Sequence, residues 1–363
     1  MKSAMIHNMS RPAIARININ HLQHNYRLLQ QCAGHSEIMA IVKADAYGHG
    51  LELVAPALFA AGCRHFGVTD AVEGYTLRQL LGSENSVEIT LLSGIFDAED
   101  ARLAAQQLLT PAITESAQLK FLQQADFHAQ VWIKVDSGMH RLGSNDPAAL
   151  RSQCKKQGIK VRGIMSHLAC ADMPEHPLNR RQLVAFQKLR NQTGEDLPAS
   201  LLNSAGMVIM PEQSMDVVRP GIALYGSEPI ADQPLGLKPV MQFTGAVMQI
   251  REIPPGAQIS YGATFRADRA MRIAVVSLGY GDGLPRALGN RGEAFFDGRK
   301  LPVVGRVCMD YTMLDVTDID IHPGDAVEFW GDHIPAADVA RSLDTISYTL
   351  FTGVSRRVQR MAT

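Results

Sequence analysis

The sequence of 363 residues predicts an α/β chain in two parts, a (β/α)8 TIM-type barrel followed by a mostly β domain. Up to about residue 230, short apolar runs alternate with amphipathic segments, the signature of repeated βα units around a parallel sheet. Beyond Pro239 the texture changes to strands separated by tight turns. A hydrophobic content of 46% over this length is enough to bury one large core or two medium ones.

Taken in order, AIARINI (13–19) reads as a strand and 21–32 as a helix. Strand candidates follow near 37–43, 65–69, 88–93, 110–113, 131–136, 162–168, 200–203 and 216–219. Eight such repeats in about 200 residues match a closed barrel better than an open, doubly wound sheet. The strand at 13–19 stands outside that count and is left to pack with the C-terminal domain. The expected division is 11–236 for the barrel and 237–363 for the β-rich part. In the latter, MQFTGAVMQI, MRIAVVSLG and DAVEFWG read as strands. Asp297-Gly298 sits between EAFF and RKLPVV, where a two-residue type I′ hairpin turn needs positive φ at both positions. PAADVARSLD reads as a helix before the closing segment ISYTLFTGVSRRVQR.

Charge and cysteine content narrow the function classes. The net charge is −1 with acids and bases mixed, and no basic run marks a nucleic-acid face. Five separated cysteines without a CxxC suggest neither a disulfide framework nor a zinc site, which suits a reducing cytoplasm; no metal is expected. MKSAMIHNMSRP lacks an apolar h-region and no run reaches 18 apolar residues, so a soluble, unprocessed cytoplasmic chain is expected, with no membrane partner.

Barrels carry their chemistry at the C-terminal ends of their strands. Here those ends hold Lys43, Arg141, His167, Asn203-Ser204 and Arg219. So many cationic groups at one mouth call for an anionic ligand. NSAG and RPGI, after strands seven and eight, supply a hydroxyl and small residues where barrels commonly bind phosphate. A lysine held among cations and out of water loses its proton more readily and becomes a nucleophile toward a carbonyl. Lysine, phosphate site and carbonyl together point to pyridoxal 5′-phosphate. The plainer reading makes Lys43 a solvent-facing loop lysine and His167 a satisfied core histidine.

At this point the residues carry a resemblance. VKADAYGHG, IKVDSGMHRLG, SHLACAD, NSAG, VRPGIALYG, SYGATF, GYGDG and GRVCMD follow one another as they do in alanine racemases, fold-type III pyridoxal-phosphate enzymes. The match runs from about Ala13 to Arg360. The resemblance implies that Lys43 forms the Schiff base and, with Tyr261, supplies one of two catalytic bases. It implies phosphate contacts from Tyr47, Ser204, Gly221, Ile222 and Tyr348, with Asn203 beside them. Arg219 is implied to face the pyridine nitrogen, His167 to lie near the ring, and Arg141 to meet the ring oxygen and the substrate carboxylate. Met309 and Asp310 resemble substrate-pocket residues, delivered with Tyr261 by the second subunit of a homodimer with composite sites. Lys134 matches a lysine that some members carry as a carbamate. The implied activity is interconversion of L- and D-alanine, supplying D-alanine for peptidoglycan. A serine or broad-specificity racemase of the same family is the alternative.

Racemisation removes the α-proton from one face and returns a proton to the other, so an acid/base group is needed on each side. Arg219 bears on the cofactor's electronics: a guanidinium does not hand its proton to the pyridine nitrogen, which leaves the ring a weaker electron sink. A decarboxylase of the same architecture would want an acid there. A non-catalytic cofactor carrier resembles the barrel alone and would lack the second domain. Two departures from the family pattern stand out, Asp45 where asparagine is usual and Ala263 where glycine is common. GYGDG (279–283) lacks the G-x-G-x-x-G spacing and reads as a turn, and His65, His128 and His322 have no partner pattern.

Overall fold

The computed structural model describes residues 13–82 and 87–363. The expected domain start at residue 11 lies outside them. The described chain forms two compact units. Of the described residues, the first unit comprises 13–21, 47–50 and 238–363, and the second 22–46, 51–82 and 87–237.

The second unit is the barrel. Its strands are β2 (Glu37–Ile41), β3 (His65–Val68), β4 (Glu88–Leu91), β5 (Thr110–Ile113), β6 (Gln130–Lys134), β7 (Lys160–Met165), β8 (Ala199–Ser200) and β9 (Val217–Val218). They pair in sequence order, all parallel, and β2 also pairs with β9. A single parallel bridge between Asn203 and Arg219 links the ends of β8 and β9, so the ring closes where its strands are shortest. Strands β3 and β5 are buried at every position, as expected for parallel strands covered on both faces. Phe66, Ile89, Ala112, Trp132 and Ile164 are fully buried within this unit.

The surrounding helices are α1 (Ile19–Ala33), α3 (Leu51–Ala60), α4 (Ala71–Leu81), α5 (Ala98–Gln106), α6 (Ser116–Gln124), α7 (Pro147–Lys156), α8 (Pro177–Thr193) and α9 (Ser204–Ile209), while α2 (Lys43–Tyr47) is a single left-handed turn. Their starts are written in the sequence. Asp70, Asp97, Asp146 and Asn203 each accept backbone N–H groups at an N-cap, and Pro147 and Pro177 occupy first-turn positions where no N–H is needed.

The first unit is β-rich. The leading strand β1 (Ala13–Ile17) pairs antiparallel with β10 (Met241–Ile253) and parallel with β18 (Gln359–Ala362). Between these lie β11 (Gln258–Ile259), β12 (Phe265–Arg266), β13 (Met271–Val276), β14 (Glu293–Phe296), β15 (Arg299–Pro302), β16 (Thr312–Asp315) and β17 (Ala326–Trp330). The hairpin of β14 and β15 turns at Asp297 (φ 44°) and Gly298 (φ 76°), both in the positive region that a type I′ turn requires. Phe243 stacks on Trp330 with centroids 4.3 Å apart in the core of this sheet. Helices α10 (Ala336–Ser342) and α11 (Ser347–Gly353) precede β18, so the closing segment is a helix and then a strand. No helix among the described residues is long and apolar enough to cross a membrane.

Candidate active site

Each barrel strand hands its chain to the mouth at its C-terminal end. Lys43 is the second residue past β2, His167 the second past β7, and Arg219 the first past β9. Arg141 sits farther from its strand than the sequence suggests, because β6 stops at Lys134. The intervening loop is folded by Asp136, whose Oδ1 accepts the N–H groups of Gly138, Met139 and His140. That turn brings Arg141 back within electrostatic reach of Lys43, Lys134, His167 and Arg219.

The backbone after Lys43 is unusual. Ala44, Asp45, Ala46 and Tyr47 all lie in the left-handed region, with φ between 52° and 54°. One turn of left-handed helix built from non-glycine residues costs roughly 1–2 kcal/mol per residue, so other contacts must hold it. Glu73 does so from α4, accepting the N–H of Ala44 and of Thr69, each at 2.7 Å. Asp45, the departure from the family pattern, accepts the N–H of Leu51 at 2.7 Å and so caps α3. A carboxylate at that helix start is electrostatically favourable.

The site is dominated by positive charge. Burial lowers the pKa of Lys43 and Arg141 lowers it further, against a smaller opposing pull from Glu73. Lys134 is buried and pushed down to about 7 by burial, Arg219, Arg141 and Lys43. Its Nζ donates to the Leu92 carbonyl at 2.8 Å. Arg219 is buried, and burial with Arg141 brings even its guanidinium down to about 10. It donates to Ser200 Oγ at 2.5 Å, to the Leu201 carbonyl at 3.2 Å and to the carbonyl of Ser166. Burial and the same cations hold His167 well below the usual histidine range.

Beside this cluster, Ser204 Oγ accepts the N–H of Gly221 at 2.9 Å and of Ala223 at 3.4 Å. The loops after β8 and β9 therefore meet at one hydroxyl, with Ile222 opening a single helical turn over 222–225. Asn203 spends its side chain on the N–H of Gly206, capping α9. Four groups of one charge sign around a small-residue loop suit a phosphorylated carbonyl compound: cations neutralise the phosphate, and a lysine with lowered pKa faces the carbonyl.

The remaining candidates lie in the β-rich unit. Tyr47 and Tyr348 approach with ring centroids 5.7 Å apart. Burial and the neighbouring Tyr348 raise the Tyr47 phenol well above its usual range. Gly48 is required here, since a Cβ would stand 2.0 Å from the Phe351 carbonyl oxygen and φ is +76°. Tyr261 is 71% exposed and borders an open hollow of about 500 Å³ shared with Ile259, Cys308, Tyr311 and Met313. Met309 and Asp310 are held by Arg357, which reaches the Asp310 carboxylate at 3.0 Å.

A further cluster has no marker in the sequence. His65 is fully buried where β3 begins, with Glu37 Oε1 3.2 Å from Nδ1 and Glu88 Oε1 3.5 Å from Nε2. Arg162 spans both carboxylates at 2.8 and 3.0 Å. Burial alone would raise Glu37, but hydrogen bonds and charge from His65 and Arg162 hold it low. Because the two imidazole nitrogens face different carboxylates and a guanidinium already balances the charge, the arrangement suits a structural network at the foot of the barrel better than a cation. His128 and His322 are exposed and pair with nearby aspartates.

The alanine racemase N-terminal domain family matches residues 17–229 and the C-terminal domain family residues 240–362. The biosynthetic alanine racemase of Pseudomonas aeruginosa is 39% identical over 366 residues, covering 96% of this chain and 99% of its own length. The structure of alanine racemase from Acinetobacter baumannii superposes with a TM-score of 0.90 at 38% identity, covering 97% of this chain and all of that one. That from Bartonella henselae, which has covalently bound pyridoxal phosphate, gives 0.89 at 35% identity, with 97% and 99% coverage. On matches that run through both units, the chain belongs to the alanine racemase family of isomerases.

Proposed function

We propose that this protein interconverts L- and D-alanine with pyridoxal 5′-phosphate held on Lys43, supplying D-alanine for peptidoglycan. The observation that carries the reading is the convergence of Lys43, Lys134, Arg141, His167 and Arg219 at one barrel mouth, in a chain that matches this family throughout. The cofactor, once bound, supplies an electron sink that acidifies the α-C–H of the attached amino acid. Ser204, Gly221, Ile222, Tyr47 and Tyr348 would hold its phosphate, with Asn203 shaping the loop. Arg219 would face the ring nitrogen and, as a guanidinium, leave it unprotonated. His167 lies alongside Arg219 and would pack against the ring.

Lys43 would take or return the α-proton on one face of the substrate, since burial and Arg141 already favour its neutral amine. Tyr261 would act on the other face, from the second copy in a homodimer. Its exposure, beside a largely apolar hollow, fits a residue whose working surroundings belong to a partner. Arg141 would pair with the substrate carboxylate, and Met309 and Asp310 would line the pocket with Tyr261. Residues 11–236 would thus supply most of the cofactor contacts, while 237–363 would add Tyr348 and the second base.

Carbamylation of Lys134 fits the same electrostatics. Its amine reaches neutrality near pH 7, so it can attack CO2, releasing a proton and replacing a buried cation with an anion among Arg141 and Arg219. The governing experiment incubates the cofactor-loaded protein with single L-amino acids and scores the D-product. Alanine should react well and larger side chains much more slowly; comparable turnover of serine, lysine or arginine would instead assign a serine or broad-specificity racemase.

A further inference from the structure

The GYGDG turn (279–283) has no part in the chemistry above, yet its aspartate, Asp282, is fully buried. Asp282 Oδ2 accepts the N–H of Gly279 at 2.9 Å, and Oδ1 pairs with Arg357 Nε at 2.7 Å. The same guanidinium then reaches outward, with Nη2 3.0 Å from Asp310 Oδ1 and 3.2 Å from the Met309 carbonyl oxygen. Arg357 is anchored from its own side as well, because Ser355 N–H donates to the Asp282 carbonyl at 3.0 Å.

The turn also lies directly on the segment that Arg357 grips. Tyr280 N–H donates to the Cys308 carbonyl at 3.0 Å and Gly281 N–H to the Met309 carbonyl at 2.9 Å. The glycines are a consequence of that approach. A Cβ on Gly279 would stand 2.4 Å from the carbonyl oxygens of both Cys308 and Met309, and one on Gly281 would stand 2.4 Å from Arg357 Nη2.

A planar guanidinium fixes the angle between the two carboxylates it joins, so the buried group sets the direction in which the outer one is held. Although burial works against its charge, Asp282 and Asp310 hold Arg357 above the usual arginine range, so the link persists throughout the working pH. We propose that Asp282, acting through Arg357, is a positioning residue that fixes how Met309 and Asp310 are presented to the amino-acid substrate. This rests on reading Met309 and Asp310 as pocket residues.

The test measures KM, kcat and thermal midpoint for alanine racemisation by the cofactor-loaded full chain carrying Asp282→Asn, Arg357→Lys, both together, or Asp310→Asn. Asparagine keeps an acceptor for Gly279 but loses the charge that orients Arg357; lysine keeps the charge but lacks the planar fork that fixes the angle between the two carboxylates. Each single variant should raise KM about tenfold with kcat changed less than about threefold, the pattern of lost ground-state and transition-state binding alike. The double variant should be no worse than either single one, because the two residues act as a unit. A lowered midpoint with unchanged KM in both Asp282→Asn and Arg357→Lys, while Asp310→Asn raises KM, overturns the positioning role and leaves the pocket reading standing. Unchanged KM in Asp310→Asn overturns the pocket reading and the positioning role with it. If Asp282→Asn does not fold, the half-exposed Arg357→Lys decides the question by the same KM criterion.

Discussion

Arg219 Nη2 lies 3.3 Å from Nδ1 of His167. A guanidinium can only donate, so Nδ1 accepts and a neutral His167 carries its proton on Nε2. Burial keeps the ring neutral, and Arg219, Arg141, Lys134 and Lys43 reinforce that. Arg219→Gln removes one of these charges, so the His167 pKa should move back up toward the ordinary value; an NMR titration of the imidazole reads the shift directly. Arg219→Glu should go further in the loaded enzyme, protonating the cofactor's ring nitrogen and diverting turnover into transamination. Pyruvate should form from alanine, up to one equivalent per site as the cofactor is converted to its amine form, while racemisation falls at least about tenfold, a barrier change of about 1.4 kcal/mol. Absence of pyruvate would mean that this side chain does not govern the ring nitrogen.

Lys134 makes stability depend on pH. Its folded pKa of about 7 lies below the ordinary lysine value, so between those limits the unfolded chain binds more protons than the folded one. Stability then rises with pH across that window, and the penalty is greatest below pH 7. In CO2-free buffer, Lys134→Met should therefore stabilise the protein most in mildly acidic solution, with the gain shrinking as the pH climbs toward 10. Urea unfolding of both proteins at several pH values measures it. With ¹³C-labelled CO2 supplied near pH 8, a carbamate NMR signal should appear that Lys134→Met lacks.

Tyr261→Phe should lower racemisation by roughly 10²–10⁴-fold, the usual worth of a positioned acid/base group. Lys43 would remain, so solvent hydrogen should still exchange at the α-carbon of one alanine enantiomer and not the other. Exchange from both enantiomers would remove Tyr261 from the mechanism.

Assembly has its own test. A Lys43→Ala chain and a Tyr261→Ala chain, each nearly inactive, should regain roughly a quarter of parental activity after random subunit exchange. Half the dimers are then mixed, and in each of those one crossed site carries both substitutions and the other neither. Mass-tagged chains establish that exchange has occurred; mixed dimers without activity would place both bases in one chain.

Asp45→Asn should cost only about 0.3–1 kcal/mol, because the amide oxygen still accepts the Leu51 N–H and only the charge at the start of α3 is lost. Asp45→Ala also loses the acceptor and a side chain tolerant of positive φ, and should cost about 1–2 kcal/mol more. Chemical unfolding midpoints rank the three proteins.

The two-part architecture, the eight barrel strands and the polar residues at their ends are legible along the chain, because apolar periodicity and the Asp297-Gly298 turn are local signals. Tyr261, Tyr348 and Lys134 are candidates only through the family resemblance, since none of them is marked by spacing alone. Tertiary structure decided what depends on distant register or backbone hand. The left-handed turn over 44–47 has no sequence period, and Glu73 of α4 ties it down by accepting the Ala44 N–H with one carboxylate oxygen while the other takes the Thr69 N–H. β1 pairs with β10 and β18, whose residues lie more than two hundred positions away, so nothing local marks its place in the sheet. The His65 network draws on the starts of three strands, and Asp282, Arg357 and Asp310 meet only when the turn at 279–283 docks on its neighbour. In each case the partner is chosen by the folded chain's geometry, which brings together charges that the sequence keeps far apart.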